Sequence, residues 1–216
     1  SSLLGFIETL QGPAHDDADA RDRFLGIMAD EARRMTSLVN DLLTLSRVEA
    51  DEHIRPAGPV NIAGVLAEIS TVLMARAQMR GMTIDLRIPD DLPQVTGDKE
   101  ELIQVFRNLI DNAISYGSEN TSIQVVAENQ GQVFGTPEAM LAVSVTNQGA
   151  GINPQDIERL TERFYRVDKG RSRATGGTGL GLAIVKHIIG HHRGNLEIRS
   201  TPGENTSFTV CLPIPK

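Results

Sequence analysis

Several things are scarce in this chain, and each scarcity excludes something. Among 216 residues there is no tryptophan, and aromatic residues make up only 4%. The core must therefore be aliphatic. A single cysteine, Cys211, excludes an internal disulfide framework and any cysteine-rich metal site. No apolar run approaches the roughly 18 residues that a membrane helix needs. No signal peptide opens the sequence, so the expectation is a reduced, cytosolic-type segment. Positive charge is also short: 21 lysine and arginine against 28 aspartate and glutamate leave a net charge of −7. That counts against a sequence-independent nucleic-acid binder, which needs a basic face. The rest is ordinary for a globular chain, with 40% hydrophobic and 23% charged residues. The length suffices for a buried core and for one or two domains. The opening residues Ser1-Ser2-Leu3-Leu4-Gly5-Phe6 read as the inside of an element, so a piece of a longer protein is expected.

The first third reads as helical. An apolar-rich segment over 1–11 stops at Gly12-Pro13, and Asp16, Asp17 and Asp19 precede the next pattern, as acidic residues do at a helix start. A long helix is expected over 17–50. Leu25, Met28, Ala32, Met35, Val39, Leu42 and Ser46 alternate three and four apart, flanked by Phe24, Ile27, Leu38 and Leu45. Such a seam with an extra apolar flank belongs to a helical bundle. One short helix and one long one cannot close a bundle, and the simplest partner is a second copy of the chain. An ordinary core helix is the alternative. The stretch His53-Ile54-Arg55-Pro56-Ala57-Gly58-Pro59 reads as a linker between domains spanning 1–54 and 59–216.

The remainder alternates helices and strands. Helices are expected over 61–80, 99–115 (capped by Asp98), a short stretch from Asn153-Pro154, and 179–191. Strands are expected over 82–88, 94–96, 121–127, 140–147, 194–200 and 206–212, with a turn-rich connection around Gly131, Gly135 and Pro137. The charged, glycine-rich stretch 165–178 reads as a mobile loop. The fold class is α+β, with one mixed or antiparallel sheet and helices on one face.

Three constellations carry chemistry. Asn108 and Asn112 are four apart in Asn108-Leu109-Ile110-Asp111-Asn112-Ala113, so both amides leave one helix face. Amide oxygens are hard, neutral ligands suited to Mg²⁺; solvated or capping amides look the same. Asn147-Gln148-Gly149-Ala150-Gly151-Ile152 follows a strand, where the glycines permit close approach of a ligand or a positive-φ turn. Gly177, Gly179 and Gly181 precede a helix, where exposed N–H groups bind phosphate. Arg166, Lys169, Arg171 and Arg173 form a basic cluster beside them. Neither a P-loop nor a dinucleotide fingerprint fits this run.

In order and spacing the three motifs resemble the catalytic domain of sensor histidine kinases, in the Bergerat-type ATP-binding family that also includes gyrase, Hsp90 and MutL. Asn108 to Ala113 looks like the N box and Asn147 to Gly151 like the first glycine box. Phe164-Tyr165-Arg166 looks like the F box and Gly177 to Gly181 like the second glycine box. Residues 1–50 look like the dimerisation domain just after its H box. The run Glu162 to Arg173 is especially close to the phosphate-sensing sensor kinases.

The resemblance implies a helical dimerisation hairpin followed by an α/β sandwich that binds ATP. Asn108 and Asn112 would hold Mg²⁺, Tyr116 would lie along the adenine, and Asn147, Gly149, Gly151, Ile152 and Thr206 would line its pocket. Arg166, Lys169 and Arg171 would pair with phosphates, while Gly177, Thr178, Gly179, Leu180 and Gly181 close over them. Asn108 and Arg166 would serve the phosphoryl transfer, first to a histidine and then to an aspartate on a response regulator. Asn108 stands where the ATPase cousins carry Glu to activate water. The implied partners are a receiver domain and a second copy through the 17–50 helix. The whole protein would be anchored in the inner membrane with this part on its cytoplasmic face.

The sequence departs from the family pattern in four places. His15, His53, His187, His191 and His192 all sit in the wrong contexts for the phospho-acceptor, which would precede Ser1. The first glycine box opens with Asn147 where Asp is usual. Ser115 stands where Lys is usual. Gly203-Glu204-Asn205-Thr206 carries Asn where a second Gly is common. The changes at 115 and 147 leave a second reading open: a weakly binding or non-catalytic dimeric scaffold that docks a response regulator. An ATPase of the wider family is a third.

Overall fold

The computed structural model describes residues 2–12, 15–50, 56–132, 139–167 and 177–215. The expected mobile loop falls mostly on 168–176, outside the described residues.

Two helices come first, α1 (Ser2–Gln11) and α2 (Ala18–Ala50). The Asp17 carboxylate accepts from the Ala20 N–H at 3.0 Å and caps α2. The Phe6 and Phe24 rings lie 5.4 Å apart, folding α1 back onto α2 as a hairpin. Among the described residues nothing covers the expected seam: Leu25, Met35, Val39 and Leu42 are exposed. Further along, Leu45 and Val48 turn to the other side and are buried in the main core. The helix thus has one open face and one docked face.

Then come β1 (Gly58–Val60), α3 (Ile62–Gln78), β2 (Thr83–Arg87), β3 (Val95–Gly97), α4 (Lys99–Tyr116), β4 (Ser122–Gln132) and β5 (Ala139–Gln148). They are followed by α5 (Pro154–Ile157), α6 (Gly181–His191), β6 (Asn195–Thr201) and β7 (Asn205–Pro213). Five strands form a mixed sheet in the order β2-β4-β5-β7-β6, with β2 parallel to β4 and the other neighbours antiparallel. On it lie α3, α4 and α6, with α4 in the middle.

Local chemistry sets the boundaries. Asn61 accepts from the Gly64 N–H at 3.1 Å and starts α3; Asp98 accepts from the Glu101 N–H at 2.9 Å and starts α4. Along β7, Thr206, Phe208, Val210 and Leu212 alternate inward. Two elements exceed the sequence reading. The expected linker contributes β1, which pairs antiparallel with β3 through Val60 and Val95. Gly131, at the start of the expected turn-rich connection, forms a bulge at φ +62° that lets β4 run on to Gln132; Gly135 and Pro137 lie outside the described residues.

Candidate nucleotide site

A cleft of about 560 Å³ opens between α4, the β5–α5 turn, the start of α6 and α2. One wall is a single helix face: Asn108, Asp111, Asn112 and Ser115 fall at i, i+3, i+4 and i+7 of α4. Buried Leu102, Phe106, Leu109, Ile110 and Ala113 hold that helix down, so the polar stripe cannot rotate away. The Asn108 amide donates through Nδ2 to the Gly181 carbonyl at 3.3 Å, which leaves Oδ1 as the atom presented to a ligand. This bond also joins α4 to the first residue of α6.

The inner end is less polar. Asn147 and Thr206 are buried there beside Ile152 and Phe208. Asn147 Nδ2 donates to the Gln148 carbonyl at 3.1 Å, and the Thr206 hydroxyl shares a 2.8 Å hydrogen bond with Ser200. The two glycines of the Asn147 motif serve the protein's own backbone. A Cβ at Gly149 would come within 3.0 Å of the Tyr116 carbonyl, and Gly117 and Gly149 form a β-bridge. Gly151 has φ +67°, and a Cβ there would overlap the Thr201 carbonyl and Pro202. Of the two possibilities at Gly151, the positive-φ turn is the one observed.

The outer border carries the charge. Arg166 lines the cleft, and its Nε and Nη2 are buried with no hydrogen-bond partner among the described residues. Ahead of it, Phe164 sits at φ +62° and its N–H donates to the Gly179 carbonyl at 2.9 Å. Gly179 has φ +76°, and a Cβ there would press on the Phe164 backbone. The Phe164 segment and the glycine run are therefore clasped together. The next residue, Tyr165, donates to Asp156 at 2.5 Å, which raises its pKa above the ordinary tyrosine value. Helix α6 begins at Gly181 with no side-chain cap among the described residues, and the first N–H groups of a helix have no intrahelical partner, so they face the cleft border uncapped.

Of the residues expected from sequence, the cleft gathers Asn108, Asn112, Tyr116, Asn147, Gly151, Ile152, Arg166, Gly177, Thr178, Gly179, Gly181 and Thr206. Gly149 stands just behind this lining. The Leu180 side chain is fully buried in the core, so only its backbone borders the site. Lys169 and Arg171 lie outside the described residues. Sequence reasoning missed Arg76 on α3 and Ser37 and Asp41 on α2, all of which line the cleft. Arg76 had one signal, since it and Glu68 are the charged residues of an otherwise uncharged helix. Asp41 had none, because it lies within a helix read only for its apolar seam.

Residues 97–216 match the family described as histidine kinase-, DNA gyrase B-, and HSP90-like ATPase, and residues 1–51 match the His kinase A (phospho-acceptor) domain. The phosphate regulon sensor protein PhoR of Pseudomonas aeruginosa is 39% identical over 96% of the chain and 45% of its own length. The sensor-like histidine kinase SenX3 of Mycolicibacterium smegmatis is 35% identical over 92% of the chain and 50% of its own length. The chain thus spans about half the length of these curated relatives. Among solved structures, full-length ShkA in complex with AMPPNP superposes with a TM-score of 0.73 at 26% identity, covering 92% of this chain and 40% of that one. The order of elements, the cleft and these likenesses agree: the chain belongs to the histidine kinase-, DNA gyrase B- and HSP90-like ATPases, and within them to the histidine kinase family.

Proposed function

We propose that the cleft binds Mg-ATP for phosphoryl transfer to a histidine, with a response regulator as the onward acceptor. Arg166 carries this reading. Burying two guanidinium nitrogens, Nε and Nη2, without a partner among the described residues is unfavourable, and a polyphosphate entering from the glycine run would satisfy them with charge-assisted hydrogen bonds. The donor set fits the metal as well, since Asn108 Oδ1 is free of its Nδ2 anchor and Asn112 follows one turn later. Mg²⁺ held there would neutralise phosphate charge.

The other roles follow from placement. Asn147 and Thr206 would accept and orient the adenine edge, with Tyr116 along its face. The Gly177 to Gly181 backbone would cover the phosphates, and Lys169 and Arg171 would add charge beside Arg166. Asn108 is an amide and a poor base, so water attack would be slow and transfer to histidine favoured. In the transfer, the histidine nitrogen forms a bond to the γ-phosphorus as the bond to the departing ADP oxygen breaks. We place the acceptor histidine outside residues 1–216, because none of His15, His53, His187, His191 and His192 stands in the sequence context that the resemblance implies for it.

We assign residues 1–54 to dimerisation and 59–216 to catalysis. The exposed apolar residues of α2 support pairing with a second copy. No helix among the described residues is long and apolar enough to cross a membrane. By its relatives' names we take the whole protein to be a sensor kinase that presents this part at the cytoplasmic face of a membrane.

Titration calorimetry with ATP and ADP in excess Mg²⁺ tests the reading. Micromolar binding that Arg166→Ala weakens by tenfold or more supports it. Failure of the chain to bind either nucleotide at millimolar concentration assigns it instead to a docking scaffold.

A further inference from the structure

Two arginines four residues apart, Arg76 in the last turn of α3 and Arg80 just past its end, reach across to α4, and they do different things there. Arg80 binds backbone at the helix end: it donates to the carbonyls of Ile114 and Ser115, and through Nη2 to Gly117 at 3.1 Å. That is a capping role, with a cation on the helix C-terminus. Arg76 binds side chains on the cleft face. Its Nη1 pairs with Asp111, and its Nη2 donates to Ser115 Oγ at 2.9 Å. All three residues line the cleft with Asn108 and Asn112.

We propose that Arg76 is a further nucleotide-binding residue, whose guanidinium meets the polyphosphate tail from the α3 side of the cleft. This assignment rests on the nucleotide reading given above. Three observations carry it. Arg80 and the buried apolar contacts of Leu66, Ile69 and Leu73 already tie α3 into the core, so a second clamp is not needed for packing. The Arg76 side chain is 40% exposed, on a wall of the cleft and not beneath it. A guanidinium also has five N–H donors in a planar fork, and the bonds to Asp111 and Ser115 engage two of them. Asp111 holds the fork in orientation, as a paired carboxylate does, and the remaining donors stay available to an anion. Arg76 and Arg166 thus supply cations from separate elements, with the two asparagines also on the lining.

The test uses the 216-residue chain, with ATP, ADP and adenosine titrated in excess Mg²⁺ into the parent, Arg76→Gln, Arg76→Lys, and Arg76→Gln combined with Ser115→Lys. The Gln variant is expected to lose about tenfold in ATP affinity, equivalent to about 1.4 kcal/mol, with a smaller loss for ADP and none for adenosine. The Lys variant is expected to fall between, because it keeps the charge without the fork. Lysine at 115, beside the emptied place, is expected to restore most of the ATP affinity. A purely structural clamp would instead weaken all three ligands equally, or none. Either result in variants that still melt cooperatively overturns the assignment while leaving the nucleotide reading intact. Failure of the parent to bind ATP or ADP overturns both.

Discussion

The Thr178 hydroxyl donates to the Asp41 carboxylate at 2.7 Å, and so joins α2 to the glycine run that borders the cleft. Burial raises the Asp41 pKa above the ordinary aspartate value of 3.8, and the Thr178 hydrogen bond only partly opposes it. The folded state therefore favours the protonated acid. Its contribution to stability is fully present below about pH 3.8 and is lost as pH rises through the raised value. Asp41→Asn, a neutral isostere that can still accept from Thr178, is expected to melt above the parent at pH 7. The gap should close as pH falls toward 3.8. Thermal unfolding at both pH values decides; a gap that persists in acid removes the desolvation argument.

Asn147 is 5% exposed, and its amide donates to the Gln148 carbonyl. Asn147→Asp exchanges a weak neutral acceptor for a charged one. It also removes that donor and buries a charge. Two opposite effects are expected: a lower melting temperature for the free chain, and ATP binding tighter by about 1–3 kcal/mol. Saturating ATP should then reduce the stability deficit. Calorimetry beside melting curves checks both, and unchanged affinity would remove Asn147 from adenine recognition.

The helices and most strands were legible because their signals are local. Asp98 before Lys99-Glu100-Glu101 with apolar residues at helical spacing dictates α4, and the Thr206, Phe208, Val210 alternation dictates β7. Strand β1 was not legible, since three residues containing Pro59 carry no period and gain their pairing only from β3. The motif residues were legible by type and spacing, but their couplings were not. The Asn108–Gly181 bond spans 73 positions, the two bonds of Arg76 to α4 span 35 and 39, and that of Asp41 to the glycine run spans 137. Such contacts exist only once α3, α4, α6 and α2 are packed.

The glycines separate by the same logic. At Gly151 both the positive φ and the nearby Thr201 and Pro202 backbone exclude a side chain. Gly151→Ala is expected to destabilise by about 1–3 kcal/mol. At Gly190, within α6, nothing lies within 4 Å of an added Cβ. Gly190→Ala should stabilise by about 0.5–1 kcal/mol. Urea unfolding of both variants measures the contrast, and equal effects would contradict it.

The two faces of α2 predict a similar division. Leu45 is 3% exposed and packs into the core of the following domain, whereas Val39 is 52% exposed. Leu45→Ala is expected to cost about 2–3 kcal/mol in unfolding at any protein concentration. Val39→Asp should leave the melting of the separated chain nearly unchanged but weaken self-association, read by sedimentation across a dilution series. Loss of association in the Leu45 variant alone would reverse the assignment of faces.

His192 ties the two helices of the site together from behind. Its Nδ1 donates to the Ile188 carbonyl at 2.8 Å in α6, and its Nε2 accepts from the N–H of Asp98, the cap of α4, at 3.0 Å. A Cβ at Gly97 would come within 2.8 Å of its Cδ2, so the ring occupies space that only glycine at 97 leaves open. Burial lowers its pKa below the ordinary 6.5, with Glu101 opposing that effect and His191 adding to it. Protonation would aim an Nε2–H at the Asp98 N–H. The stability that depends on the neutral ring is therefore present above about pH 6.5 and lost as pH falls through the depressed value. His192→Gln is expected to cost about 1–3 kcal/mol at pH 7.5 through the disturbed pair of bonds. It should also flatten the acid decline in urea stability below pH 6.5, because the amide does not titrate. A variant that keeps the parent's acid slope would show that another group causes it.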